Sequence, residues 1–180
     1  MKKEVNKAKA TRLTNPGNLI LVSAAYKDKD TITTCAWHSP CSHAPACVGV
    51  ALAQKHFSSE LIRTSGEFVI NVPSFDLKEQ IVYCGSHSGR DRDKFKETGL
   101  TKEKVVKLSR APKIKEAIAS IECTLADVKE IGDHFVFFGQ PLYAEAEEEC
   151  FDFEHLVWKE DAGLIFHLGG TFFMRQGPRA

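Results

Sequence analysis

The last third of the chain contains two long segments that flank a two-residue turn signal. In the first, Ala119 to Ile131, the apolar residues Ile121 and Cys123 fall on the same face of an extended chain. Gly132-Asp133 follows, and the second segment runs from His134 to Glu145. Alternation of apolar and polar residues with a period of two is typical of half-buried strands, and glycine beside aspartate is typical of tight turns. These residues therefore predict a long β-hairpin.

Further strands are predicted from short apolar or β-branched runs that end at glycine, proline or charged residues. They are Leu19 to Tyr26, Thr31 to Trp37, Cys47 to Ala53, Glu67 to Val72, and a C-terminal pair, Leu164 to Leu168 and Thr171 to Arg175. Short helices are predicted in the middle of the chain, the first with Ser58 as its N-cap. Pro40 and Pro45 predict an irregular stretch, because proline cannot donate a hydrogen bond to a ladder. The whole pattern predicts a mainly β fold, a Greek-key-like antiparallel barrel with inserted helices.

The bulk composition excludes several classes of protein. A length of 180 residues fits one domain. Lysine and arginine number 24, as do aspartate and glutamate, so no net field favours nucleic acid or a membrane as a partner. The charged start predicts a flexible basic arm over residues 1–14, before a single domain over residues 15–180. Because that start is a poor signal peptide, the six cysteines are predicted to be reduced and the protein to be cytoplasmic.

The strand Thr31 to Trp37 is the first candidate for a ligand site. A flavin ring needs hydrogen-bond partners along one edge and an apolar or aromatic wall beside it. The end of this strand offers hydroxyl groups and backbone amides next to an indole. Threonine is also an ordinary strand former and tryptophan an ordinary core residue, so the strand taken alone favours that structural interpretation.

Two further segments are candidates for binding a phosphate. Gln54 to Ser59 leads from a strand end into a helix N-terminus, where free amides, a hydroxyl and Lys55 favour an anion. Ser86 to Phe95 contains a serine, a glycine and an arginine in succession and carries Lys94 further on. A capped helix and a solvated run of charges are the simpler explanations. The chain has no Walker loop, and no G-x-G-x-x-G follows a strand, which disfavours a Rossmann nicotinamide domain.

A cluster of soft metal ligands runs from the end of the predicted strand Thr31 to Trp37 to the first residue of the predicted strand Cys47 to Ala53. It consists of Cys35, His38, Cys41, His43 and Cys47. None of them forms a C-x2-C pair, and a proline-containing loop separates the last two cysteines. Structural zinc is therefore the less favoured interpretation, and buried or incidental thiols the more favoured one.

Four ordered segments resemble one known family. They are SELIRTSGEFVINVP (Ser59 to Pro73), YCGSHSGRDRDKFKETGL (Tyr83 to Leu100), IGDHFVFFGQ (Ile131 to Gln140) and HLGGTFFMRQG (His167 to Gly177). In this order they resemble the flavin reductase-like proteins with an FMN-binding split barrel, of the flavoredoxin type, from about Asn18 to Arg175. The resemblance implies the split-barrel fold, FMN as cofactor, and a homodimer with FMN at the subunit interface.

The resemblance also implies roles for individual residues. The implied cofactor-binding residues are Thr31, Thr33, Thr34, Cys35, Ala36 and Trp37 around the flavin ring, Lys55, Phe57 and Ser58 at the phosphate, Ser88, Gly89, Arg90 and Lys94 on the phosphate and ribityl side, and His167 from the C-terminal hairpin. His134 is the implied catalytic residue, near the ring where the electron donor approaches, although a histidine alone at a turn is more often structural. Thr31 replaces a common asparagine, and Ser39 to Cys47 is unusually rich in cysteine. These departures bear on substrate preference more than on FMN binding.

The function implied by the resemblance is that of an FMN-dependent oxidoreductase. It would take electrons from a reduced nicotinamide or another low-potential donor and pass them to a flavin, a ferric complex or a protein acceptor. No side-chain acid or base is required for this transfer. Two alternatives from other classes stay open: a binding module on the same barrel that holds haem or carries electrons, and an interaction domain stabilised by zinc at residues 35–47.

Overall fold

The computed structural model describes residues 3–14 and 17–178. In chain order its strands are β1 (Gly17–Asn18), β2 (Ile20–Tyr26), β3 (Lys29–Cys35), β4 (His38–His43), β5 (Ala46–Ala53), β6 (Glu67–Val72), β7 (Lys102–Glu103), β8 (Lys113–Ile114), β9 (Ala119–Ile131), β10 (His134–Ala146), β11 (Phe151–Asp152), β12 (Val157–Trp158), β13 (Ile165–Gly169) and β14 (Phe172–Arg175). The helices are α1 (Phe57–Ser65), α2 (Lys78–Ser86) and α3 (Lys94–Thr98), with short 3-10 helices at Lys7–Thr14 and Phe75–Leu77. No helix within these residues has the length and apolar character needed to cross a membrane.

Seven strands form one antiparallel sheet in the order β3-β2-β6-β9-β10-β5-β4. β3 and β4 lie at opposite edges of this sheet but follow one another in the chain. The residues that connect them lie against β5. There the amide of Ala51 donates a hydrogen bond to the carbonyl of Trp37 over 2.8 Å. The sheet therefore curls until its two edges meet. Three small sheets, β1-β13-β14, β7-β8 and β11-β12, flank it. The predicted antiparallel barrel with inserted helices is confirmed.

The predicted long hairpin is formed by β9 and β10, which pair along their whole length. Register shifts next to Phe138 and Pro141 mark two β-bulges, and bulges bend a strand and increase its twist, as the wall of a barrel requires. Gly139 lies at the first bulge because the barrel interior leaves no room for a side chain there. A Cβ on Gly139 would approach Cζ of Phe68 to 2.5 Å.

Apolar side chains pack on both faces of the large sheet. One cluster fills the barrel, where Phe68 and Phe137 are fully buried and α1 contributes Leu61 and Ile62. The second cluster lies on the outer face of β2 and β3 and is covered by α2 and α3 through Ile81, Cys84 and Phe95. Because helices cover β3 on both faces, its end is held rigidly between α1 and α2. That end carries most of the residues predicted to bind the flavin ring.

Two local predictions are wrong. The stretch around Pro40 is not irregular but forms β4, an edge strand in which the register shifts after Pro40. An edge strand pairs on one side only and tolerates a proline at a bulge. Ser58 does not cap α1, whose N-cap residue is His56. The hydroxyl of Ser58 instead accepts a hydrogen bond from that of Thr33 over 2.9 Å, so a tertiary contact uses the group that the local pattern assigned to capping.

Two buried glutamates hold the loop 104–112 against the sheet. Glu67 on β6 and Glu122 on the neighbouring β9 are both buried, Glu122 completely. Glu67 accepts hydrogen bonds from the backbone amides of Ser109, Arg110 and Ala111 at 3.1, 2.5 and 2.9 Å. Glu122 accepts them from Val106, Lys107 and Leu108 at 2.6, 2.7 and 3.0 Å. These charge-assisted hydrogen bonds offset the cost of burying two carboxylates.

Candidate functional site

A cavity of about 280 Å³, termed the aromatic cavity, lies at the end of β3, between the last residues of β5 and the first residue of β10. Residues predicted from the resemblance line it: Thr34, Cys35, Ala36, Trp37, His134 and His167. The rest of its lining consists of Thr11, Arg12, Ala51, Leu52, Ala53, His56 and Gly170. The fold thus brings together side chains that are far apart in the sequence.

Trp37 and His134 form the aromatic wall of this cavity. Their ring centroids are 5.0 Å apart and their planes are inclined by 36°, and 49% of Trp37 is exposed. Nδ1 of His134 lies 2.6 Å from Oδ1 of Asp133, and this hydrogen bond holds the pKa of the Asp133 carboxyl below its usual value. The carboxylate thereby orients the imidazole. Together the two rings offer a surface against which a flat ligand ring can stack.

Cys35 contributes a neutral thiol to the aromatic cavity. Its Sγ donates to the carbonyl oxygens of Trp37 and Ala51 at 3.3 and 3.5 Å. Burial raises the pKa of the Cys35 thiol to about 12, so the group is protonated at neutral pH. Since the thiolate is the reactive form of cysteine, Cys35 shapes the cavity and does not act as a nucleophile.

Thiol labelling is expected to separate Cys41 from Cys35. Cys41 is exposed, whereas Cys35 is 4% exposed and protonated. A disulfide reagent at about pH 8 should therefore modify Cys41 within minutes and leave Cys35 unmodified in the folded protein. Peptide mass mapping after quenching measures both sites, and the same labelling in denaturant, where all six cysteines should react, is the control. Labelling of Cys35 as fast as Cys41 would contradict this assignment.

His167 reaches the aromatic cavity from the hairpin of β13 and β14. Its Nε2 lies 3.0 Å from the carbonyl oxygen of Gly170, and β1 pairs with β13 at Gly17 opposite His167. His167 and Gly170 of this hairpin also line an apolar cavity of about 340 Å³. Thr34 and Ala36 likewise line both cavities. The hairpin is thus a shared wall of the two cavities.

A second cavity of about 200 Å³, termed the cationic cavity, lies between the start of α1 and the chain that joins α2 to α3. Residues predicted from the resemblance line it: Thr33, Lys55, Phe57, Ser88, Gly89 and Lys94. The remaining lining residues are His56, Cys84, Gly85, Ser86 and His87. Of the residues predicted around the flavin ring, Thr33 lines this cavity together with the residues predicted at the phosphate, whereas those named above line the aromatic cavity. The two cavities adjoin at His56.

Lys94 supplies a buried positive charge to the cationic cavity. The residue is 4% exposed, and its Nζ donates to the carbonyl oxygens of Ile32 and Cys84, both at 2.7 Å. Burial lowers the pKa of Lys94, and no carboxylate pairs with it within the described parts of the chain. A buried charge without a counterion is costly, so this cavity favours an anion. The N-terminus of α1, which begins at Phe57 beside it, acts in the same direction.

Thr31 and Ser58 lie beneath the cationic cavity and do not line it. Ser58 is fully buried and accepts a hydrogen bond from the hydroxyl of Thr33, which does line the cavity. Thr31 is 1% exposed and packs under Gly89, where a Cβ would lie 2.0 Å from Oγ1 of Thr31. Only glycine at position 89 allows its loop to approach β3 so closely. The buried side chains of Thr31 and Ser58 thus position the residues that line the cavity.

Arg90 also lies outside both cavities. Its guanidinium donates to Oε2 of Glu60 at 2.6 Å and to the carbonyl oxygen of Lys55 at 3.0 Å, and it lies 5.2 Å from the centroid of the Phe57 ring. The side chain therefore fastens the loop that contains Gly89 to the first turn of α1. In this arrangement Arg90 positions the cationic cavity and does not face into it.

The resemblance assigned no role to several of these lining residues, and two of the omissions matter for the site. His56 borders both cavities, and it lies within the phosphate candidate Gln54 to Ser59 but was not named individually. Thr11 and Arg12 line the aromatic cavity from the 3-10 helix Lys7–Thr14, although charge alone assigned them to an arm outside the domain. The predicted domain boundary at Asn15 falls outside the described residues.

The cysteines and histidines of residues 35–47, considered above as zinc ligands, do not form a metal site in the described structure. Within residues 3–14 and 17–178, no three His, Cys, Asp or Glu side chains lie together in a way that could hold a metal ion. Cys35 points its thiol at two carbonyl oxygens, Nε2 of His38 lies 3.0 Å from the carbonyl oxygen of Asn18, and Cys41 donates to Ser39 at 3.4 Å. The geometry therefore gives no support to a zinc-stabilised domain.

Comparison with known proteins identifies the family. The family model described as "Flavin reductase like domain" matches residues 12–163. The chain belongs to the flavin reductase-like family. An uncharacterised protein of Pyrococcus abyssi is 34% identical over 159 residues, which cover 83% of this chain and 91% of that protein. The family match includes Arg12 and both cavities except for Thr11, which precedes its first residue, and His167 and Gly170, which follow its last.

Solved structures of flavin reductase-like proteins share this fold. Flavoredoxin from Methanosarcina acetivorans superposes with a TM-score of 0.88 at 24% identity, covering 100% of this chain and 94% of that one. The FMN-binding domain of a flavin reductases-like enzyme from Shewanella baltica OS155 gives a TM-score of 0.79 at 25% identity, covering 98% and 94%. The predicted family and split-barrel fold are thereby confirmed, and the predicted cofactor, FMN, agrees with the description of the second protein.

Proposed function

We propose that this flavin reductase-like chain binds FMN, with the flavin ring in the aromatic cavity and the phosphate in the cationic cavity, and works as an oxidoreductase. The observation that carries the proposal is the pair of adjoining cavities, one walled by Trp37 and His134 and the other holding the buried ammonium of Lys94. FMN has the same two parts, a flat ring and a phosphate, joined by the ribityl chain. Membership of the family supports this cofactor.

The residues present fit each part of FMN. Lys94 lacks a carboxylate partner in the described structure and lies beside the N-terminus of α1, which suits a phosphate dianion. Trp37 and His134 suit a flat aromatic ring. Nδ1 of His56, at the border of the cavities, is buried without a hydrogen-bond partner in the described residues, as expected of a group that meets a polar ligand.

The side chains position the cofactor and tune its surroundings. Bound FMN supplies the redox chemistry, taking electrons from a reduced nicotinamide or another low-potential donor and delivering them to a flavin, a ferric complex or a protein acceptor. Trp37 and His134 would hold the ring in place, and Asp133 would keep the imidazole oriented. Cys35, which stays neutral, adds no charge beneath the ring. The guanidinium of Arg12 adds positive potential at the cavity wall.

We also propose that two copies of the chain form a homodimer. Several large apolar side chains in the C-terminal region are between 42% and 72% exposed: Phe153, Leu156, Leu168, Phe172 and Met174. Exposed apolar surface of this kind is typical of protein–protein interfaces. A second copy that covers the β13–β14 hairpin would lie close to His167 and place the cofactor near the interface. Sedimentation equilibrium tests this directly, and a monomer at micromolar concentration would contradict it. The cytoplasmic location stays a prediction from the sequence.

His134→Ala is expected to keep FMN bound and to slow its reduction by NADH or NADPH by up to about 100-fold, the cost of a small misplacement of the reacting groups. The imidazole forms one side of the aromatic wall, where a donor would approach the ring. The measurement is the flavin absorption spectrum of the purified protein, followed by anaerobic stopped-flow reduction with each nicotinamide.

His155→Ala is the matched control for this experiment. His155 also pairs with an aspartate through Nδ1, at 3.0 Å from Asp152, but lies on an exposed turn outside both cavities. Its variant should be reduced at the wild-type rate. An unchanged rate in His134→Ala would remove that residue from the site. A purified protein with a Soret band would favour the haem-binding alternative, and a flavin that neither nicotinamide reduces would favour the electron carrier.

A further inference from the structure

His56 is the one residue, within the described structure, that lines both the aromatic and the cationic cavity. It is the N-cap residue of α1, and its backbone is held on both sides. Its amide donates to the carbonyl of Ala53 at 3.0 Å, and its carbonyl accepts from the amide of Ser59 at 3.1 Å. The imidazole therefore projects from a rigid turn at the junction of the two cavities.

The ring of His56 has an unused hydrogen-bonding atom. Nδ1 is buried and has no partner within residues 3–14 and 17–178. A buried polar atom without a partner is uncommon in folded proteins and calls for an explanation such as a ligand. Among the residues that the structure describes, no carboxylate meets this half-buried ring and accounts for its position.

The surroundings of His56 favour its neutral imidazole. Burial lowers the pKa of His56, and the electrostatic interactions with Lys94, Lys55 and His134 act in the same direction. A neutral imidazole has one nitrogen that donates and one that accepts a hydrogen bond. Such a ring suits hydroxyl groups, which can serve as either partner, better than it suits an anion.

We propose that His56 is a further FMN-binding residue, whose Nδ1 forms a hydrogen bond with a hydroxyl group of the ribityl chain. The inference rests on the proposed function. If the flavin ring occupies the aromatic cavity and the phosphate occupies the cationic cavity, the ribityl chain has to cross the border between them. His56 forms that border.

A comparison of FMN with riboflavin tests this role. Riboflavin carries the same ring and ribityl chain but no phosphate, so loss of a ribityl contact weakens both ligands equally. His56→Leu is expected to weaken the binding of each by about tenfold, the usual cost of leaving a hydrogen-bonding group unpaired. Because the asparagine amide reaches the position of Nδ1, His56→Asn should stay within about threefold of wild type, whereas His56→Gln, whose amide lies further out, should resemble leucine.

The experiment titrates apo-protein with each flavin and follows the quenching of flavin fluorescence. Thermal melting of each apo-variant checks the fold, and His43→Leu, on the exposed strand β4, is the control substitution. If the leucine variant does not fold, the asparagine and glutamine variants decide the question. Equal loss of FMN and riboflavin, restored by asparagine, supports the proposal.

Three outcomes overturn it: unchanged affinity in both the leucine and glutamine variants, loss of FMN affinity without loss of riboflavin affinity, or equal loss in the asparagine and leucine variants. The second outcome would place His56 at the phosphate. A wild-type protein that binds neither flavin would instead contradict the proposed function itself.

Discussion

Replacing Glu122 by alanine is expected to lower the free energy of unfolding by about 3–5 kcal/mol, because three backbone amides lose their acceptor and each buried unpaired group costs about 1–3 kcal/mol. The Glu122 carboxylate is fully buried and accepts hydrogen bonds from three consecutive amides of the loop 104–112. In the alanine variant those amides lose their acceptor. Either they stay buried and unpaired, or the loop leaves the barrel and exposes apolar surface.

Urea denaturation followed by circular dichroism measures this effect. Glu130→Ala is the matched control, since Glu130 lies exposed on the same strand and its carboxylate accepts a side-chain hydrogen bond from Gln54. It should change the free energy of unfolding by less than about 1 kcal/mol. The loss of unfolding free energy in Glu122→Gln should lie between those of the two alanine variants. The glutamine side chain keeps the shape of glutamate, but its NH2 group cannot accept a hydrogen bond from the loop amides. A loss below about 1 kcal/mol in Glu122→Ala would contradict this account.

Lys94→Met is expected to weaken FMN binding by about 100-fold, a loss of about 2.7 kcal/mol, as is usual when one partner of a buried charge pair is truncated. The ammonium is the buried cation of the cationic cavity and has only two carbonyl oxygens as partners in the described structure. Without it, a phosphate would be buried with no opposite charge at this point. Riboflavin, which has no phosphate, should lose less than about threefold in affinity.

Fluorescence titration with FMN and riboflavin measures both effects in one set of proteins. Lys96→Met is the matched control, because Lys96 lies on the same helix, two residues away, with its side chain exposed. Since Lys94 also joins β3 to α2 through Ile32 and Cys84, thermal melting has to show that the variant folds. Lys94→Gln keeps a donor without the charge and should also lose FMN selectively. Wild-type FMN affinity in both Lys94 variants would refute the phosphate assignment.

The sequence indicated the role of Lys94 but not that of Glu122. The resemblance placed Lys94 at the phosphate, and the structure places it in a cavity with Lys55 and Gly89. Glu122 lies within the alternating pattern of β9 and was not distinguished from other polar residues there. Its role depends on a loop some fifteen residues earlier in the chain, and no period or propensity reports such a contact.

The strands themselves were predictable because their signals are local. Alternation with a period of two and a Gly-Asp turn specify the β9–β10 hairpin, and β2, β3, β5 and β6 lie where β-branched and apolar runs indicated them. The wrong predictions concern residues whose local structure depends on a partner that is distant in the sequence. β4 forms in spite of Pro40 because β5 offers a partner strand on one side, and Ser58 does not cap α1 because Thr33 takes its hydroxyl.

Sequence by itself determined the family, the mainly antiparallel fold and about half of the residues that line the two cavities, since each of these depends on local patterns or on ordered motifs. Only the tertiary structure decided which of the predicted side chains line a cavity. Thr31 is covered by Gly89, Arg90 is held by Glu60, and His56 stands with an unpaired nitrogen where the cavities meet. The physical reason is that burial, charge and hydrogen-bond pairing depend on every neighbouring segment, and the barrel brings together segments that are far apart in the chain.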